Sequence, residues 1–89
     1  MTAKINDALS QECERAAQTE PQREIPVIVT LTGDVNRAEL EQKGLRITHV
    51  FENASIVCGT LNCSEVDALA RLDHVKIIEF DAREVRALD

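Results

Sequence analysis

The chain has no Trp and no Tyr, and Phe51 and Phe80 are its only large aromatic rings. Single-stranded nucleic acid is held on aromatic platforms against which bases stack, so this absence argues against that partner. Positive charge is also scarce. Ten Lys and Arg stand against sixteen Asp and Glu, for a net charge of −6 and a pI near 4.8. Phosphate backbones and anionic lipid surfaces are bound mainly through clustered Lys and Arg, so both are disfavoured as partners. No apolar run approaches the roughly 20 residues of a membrane span. The start, Met1-Thr2-Ala3-Lys4-Ile5-Asn6-Asp7, has no basic segment leading into an apolar one. A soluble cytoplasmic protein is expected, with neither nucleic acid nor membrane as partner. Cys13, Cys58 and Cys63 are odd in number and lack CxxC spacing, which predicts reduced thiols rather than a disulfide framework or a zinc site.

What is present is an ordinary globular balance, 44% hydrophobic and 29% charged, over 89 residues. One domain fits that length. Such a chain buries only roughly 60–65% of the surface its unfolded form exposes, and Leu, Ile, Val and Ala must do the packing. Over residues 3–18, Ile5, Ala8, Leu9, Cys13 and Ala16 recur near the helical repeat and predict a short amphipathic helix. A polar, proline-containing linker follows from Thr19 to Glu24, giving an N-terminal helix and linker over 1–23 and a compact domain over 24–89.

The domain opens with Ile25-Pro26-Val27-Ile28-Val29-Thr30-Leu31-Thr32, a β-branched run that reads as a strand ending at Gly33. Asn36-Arg37-Ala38-Glu39 has the form of a capping box, and Gly44 suits the left-handed close of a helix over 37–43 anchored by Leu40. Arg46–Asn53 and Ser55–Leu61 read as a hairpin turning around Asn53. Asn62-Cys63-Ser64-Glu65 repeats the capping box ahead of a second helix carrying Val66, Leu69, Ala70 and Leu72. Val75–Asp81 is the last strand. The order strand, helix, strand, strand, helix, strand predicts an α+β, ferredoxin-like βαββαβ domain, an antiparallel sheet with two helices on one face plus the extra N-terminal helix.

That arrangement leaves one sheet face without helices, yet Val27, Ile28 and Val29, and again Ile77, Ile78 and Phe80, place apolar side chains on both faces. A protein-binding surface is one reading. Coverage by the N-terminal helix, or a homodimer through the sheet face or that helix, is the other. Catalysis has little support, because no nucleophile, base and orienting group converge in a recognisable motif. His49, His74 and Cys58 read as structural, as does Cys63, although a thiol in the first turn of a helix can have a lowered pKa. A Cys58, Cys63 and His74 set matches no standard zinc spacing, and no cofactor is expected. Glu79 and Asp81, two apart on a strand, direct their carboxylates to one face, as solvated rim charges or as caps for helices of a partner.

Several short motifs in order bear on the partner. Val27-Ile28-Val29, Lys43-Gly44 with Ile47 and Phe51, Asn53-Ala54-Ser55, Leu61, Val66 with Leu69, Leu72-Asp73-His74-Val75, and Ile78-Glu79-Phe80-Asp81 together resemble the subtilisin propeptide family. The likeness covers about residues 25–81. That family also occurs as free-standing protease inhibitors and intramolecular chaperones. The resemblance implies a sheet face seated on two parallel helices of a subtilisin-like serine protease, helix capping by Glu79 and Asp81, and a substrate-like tail over 82–89 in the active-site cleft. The expected partner-binding residues are Ile28, Ile78, Phe80, Glu79, Asp81, Val85 and Leu88. Leu88 beside the scissile bond would put Val85 in the outer apolar subsite, whereas a shift of one residue would put Ala87 and Glu84 there. No protease domain follows Asp89, so the target would be met in trans. A non-inhibitory interaction or oligomerisation module on the same fold is the alternative.

Overall fold

The computed structural model describes residues 4–20 and 22–81. Its secondary structure begins with α1, Asp7–Thr19, which Asn6 caps by accepting the Leu9 amide on its side chain at 3.1 Å. The cap satisfies one of the amides that a helix start leaves without an internal partner. Strand β1, Glu24–Leu31, follows the polar linker. Helix α2, Arg37–Gln42, starts at Asn36, whose side chain accepts the Glu39 amide at 3.2 Å. It ends in a Schellman close: Leu45 N–H donates to Leu40 and Gly44 N–H to Glu41, with Gly44 at φ 102°. Strand β2, Arg46–Phe51, reaches β3, Ile56–Asn62, through a 3-10 turn over Glu52–Ala54. A second 3-10 turn, Cys63–Glu65, leads into α3, Val66–Ala70, and the last strand is β4, Val75–Phe80.

The four strands form one antiparallel sheet in the order β2-β3-β1-β4. Directly paired residues in such a sheet share a face, so the register sorts every side chain. Ile25, Val27, Val29 and Leu31 of β1 face the same way as Val57 and Leu61 of β3 and as Val75 and Ile78 of β4. All eight are buried. The same core takes Leu9 and Ala16 from α1, Leu40 from α2, and Val66, Leu69 and Ala70 from α3. All three helices therefore contribute to the core on one side of the sheet. The N-terminal helix joins that layer instead of folding over the other face. The segment before it also adds a parallel bridge to the outer edge of β4: Asn6 N–H donates to Ile78 and Ile78 N–H to Lys4, at 3.1 and 2.6 Å.

Two irregularities set which face each residue meets. In β2 the pairing passes from Ile47↔Gly59 to His49↔Cys58, so Thr48 is an extra residue, and its hydroxyl donates to the Cys58 carbonyl at 3.1 Å. Lys76 is the corresponding extra residue in β4, between Val75↔Leu31 and Ile77↔Thr30. Such bulges shift the phase of alternation. Ile47 and Val50 thus both face the core, while His49 and Phe51 face outward. Gly59 lies opposite the first bulge, where a Cβ would collide with the carbonyl of Arg46. The Gly59→Ala variant should therefore lose about 1–3 kcal/mol of stability, read as a lower urea midpoint at unchanged slope.

Candidate protein-binding face

The face turned away from the helices is built in three rows read across β2, β3, β1 and β4. Arg46, Thr60 and Pro26 form the first, which the Asp81 amide extends by donating to the Pro26 carbonyl at 2.9 Å. His49, Cys58, Ile28 and Glu79 form the second. Phe51, Ile56, Thr30 and Ile77 form the third. No described helix lies over these rows. Ile28, Ile56 and Ile77 remain half-buried, and Phe51, at 52% exposure, is the large apolar side chain that stands furthest into solvent among the described residues. The His49 and Phe51 rings lie side by side, 6.3 Å apart and inclined by 14°.

Charge on this face is sparse. Arg46 meets Glu24 at 3.2 Å, and the same Glu24 accepts the Thr60 hydroxyl at 2.8 Å. His49 and the half-buried Glu79 stand in the second row with the Cys58 thiol, and Asp81 follows at the end of the first. The acidic excess lies elsewhere, with Asp7, Glu14, Glu41 and Asp67 exposed on the helices. A surface with an apolar centre and few charges loses little hydration free energy when covered, which suits a protein partner.

The expected binding residues separate on this geometry. Ile28 and Glu79 are direct neighbours in the second row. Ile78 and Phe80 are not on this face: Ile78 pairs with Val29 and Phe80 with Val27, so both point toward the helices. Ile78 is fully buried there, and Phe80 packs partly buried against the same core. The apolar residues of β4 and β2 that do reach the open face are Ile77 and Phe51. Asp81 is 4% exposed, so it is not a solvated rim acid paired with Glu79. Val85 and Leu88 lie outside the described residues, as does the rest of the tail.

The cysteines also depart from expectation. Cys13 of α1 and Cys63 of the turn before α3 form a disulfide, with Cα atoms 5.5 Å apart. Two thiols distant in sequence meet because both helices pack on one side of the sheet. Cys63 is therefore not available to a metal set with Cys58 and His74. Among the described residues no group of three or more His, Cys, Asp and Glu is placed to hold a metal ion. His74, before β4, has its Nε2 at 2.9 Å from Glu39 without the alignment of a hydrogen bond, and its carbonyl accepts both the amide and the hydroxyl of Thr32. These contacts anchor the ends of β1 and β4 to α2. No described helix is long and apolar enough to cross a membrane.

No family model matches the chain, nor does any curated protein or solved structure.

Adjacent isoleucines test the assignment of faces. Ile78→Ala should cost about 2–5 kcal/mol, whereas Ile77→Thr, with its β-branched shape retained on the open side, should stay within about 1 kcal/mol of the parent. Urea midpoints of the two variants measure the difference, and equal losses would refute the assignment.

Proposed function

We propose that the chain is a ferredoxin-like βαββαβ domain with an added N-terminal helix, and that it binds a subtilisin-like serine protease in trans as an inhibitor or folding chaperone. The observation that carries the reading is the open sheet face, with Ile28, Ile56, Ile77 and Phe51 presented and Glu79 at its β4 side. Its likeness to subtilisin propeptides supplies the partner. In that family this face rests on two protease helices, which acids matching Glu79 and Asp81 cap. Glu79 is the acid best placed for the task, because a carboxylate at a helix N-terminus accepts amides that have no partner within the helix. Asp81, enclosed at the end of β4, would act by holding that strand and the chain leading to the tail. Inhibition would then rest on occupancy of the cleft by residues 82–89 and on slow release, with no chemistry performed by this domain.

A panel of subtilisin-like proteases titrated with the full chain tests the proposal. At least one should be slowed at micromolar concentration. Ile28→Asp should weaken inhibition roughly tenfold or more, the loss expected on removing a central interface anchor. Truncation after Asp81 should abolish cleft blockage while leaving binding measurable. If no protease is slowed at high micromolar concentration, the inhibitor reading fails. A dimer in light scattering that Ile28→Asp dissolves would then assign the face to self-association.

A further inference from the structure

The helical layer carries a second chemical feature, independent of the protease reading. Cys13 and Cys63 are 50 residues apart in sequence and join the middle of α1 to the turn that starts α3. Both are half-buried, and both line an open groove of about 230 Å³ between these elements, with Glu14 and Asp67 also on its wall. We propose that this disulfide is a reversible redox latch on α1, opened by thiol–disulfide exchange with a neutral or cationic thiol entering that groove.

What the latch holds follows from the other contacts of α1. Its start is fixed by the bridge to Ile78, by the Lys4 ammonium donating to the Leu72 carbonyl at 2.9 Å, and by buried Leu9. Beyond Cys13 only Ala16 of the helix is buried. The ladders joining β1, β3 and β4 use no backbone group of α1. Opening of α1 is thus separable from loss of the sheet, the condition for a local unfolding unit.

The exchange balances in two steps. A reagent thiolate attacks one sulfur of the pair, the protein S–S bond breaks, and a mixed disulfide forms while the other cysteine leaves as thiolate. A second reagent thiolate then attacks the reagent sulfur of the mixed disulfide, releasing the remaining cysteine and forming the reagent's own disulfide. The protein has gained two electrons, and its two thiolates take protons from water. Glu14 and Asp67 set the preference among reagents, because an anionic thiol is repelled from a groove walled by carboxylates.

The test uses the full chain. After exposure to oxidised glutathione, thiol titration in denaturant should find Cys58 alone reactive, and dithiothreitol should then restore Cys13 and Cys63. A chain that keeps all three thiols overturns the latch. Hydrogen exchange should accelerate on reduction by about thirtyfold at the α1 amides, while β1 and β3 amides change little. The double variant Cys13→Ser/Cys63→Ser should match the reduced protein. Unchanged protection in α1 overturns the proposal, and so does loss of protection throughout the sheet, which would make the bond a staple for the whole fold. Rates per thiolate should favour cysteamine over thioglycolate at low salt. That ratio should shrink about threefold or more in Glu14→Gln/Asp67→Asn and toward the same value at high salt. A ratio the substitutions do not move overturns the assigned reagent class.

Discussion

The buried row Ile25, Val27, Val29 and Leu31 on β1 is what every other element is arranged around. It runs down the middle of the sheet, with β3 on one side and β4 on the other. Each of these side chains gains roughly 1.5–3 kcal/mol from leaving water, but only if helices cover that side. All three helices turn their apolar stripes to it. A chain this short has no further helix among its described residues for the reverse side. Pro26, Ile28 and Thr30, interleaved with the buried row, are therefore left open to solvent or to a partner.

Much of this was written in local chemistry. The Asn cap of α2, the glycine close at Gly44 and the β-branched strands all act within four or five residues, and α2 and the four strands lie within a residue or two of where those signals put them. Asn62, by contrast, heads a 3-10 turn, and α3 begins only at Val66 with no side-chain cap. The capping boxes were only half realised. Asn36 does cap α2, but Glu39 turns to His74, while the Glu65 carboxylate occupies the space beside Gly44 that lacks a Cβ. Tertiary packing took the second member of each pair.

Faces were harder to read than elements. Strict alternation would put Ile47 and His49 on one side, and would alternate Val75 with Lys76 and Lys76 with Ile77 without a break. The bulges at Thr48 and Lys76 break that phase and depend on pairing with a distant strand, so they have no signature in their own segments. Within 77–81 the alternation is unbroken, so Glu79 on the open face already carries Ile77 with it and turns Ile78 and Phe80 to the core; apolar character alone does not distinguish the two sets. Alternation likewise gives the side on which Asp81 falls but not how deeply it is enclosed. The Cys13–Cys63 pair could not be read from spacing, because it arises only when α1 joins the helix layer.

The strand order also bears on how the chain is made. Hydrogen bonds on one side of β1 are completed by β3 and on the other by β4, whose residues emerge from the ribosome well after those of β1. At 5–20 residues per second, roughly 45 residues of further synthesis leave one margin of the central strand unpaired for about 2–9 s. An unpaired margin is where strands of neighbouring chains can add. For that interval the nascent polypeptide holds its most apolar strand half-finished, and crowding on a polysome will weigh most heavily on it at that stage.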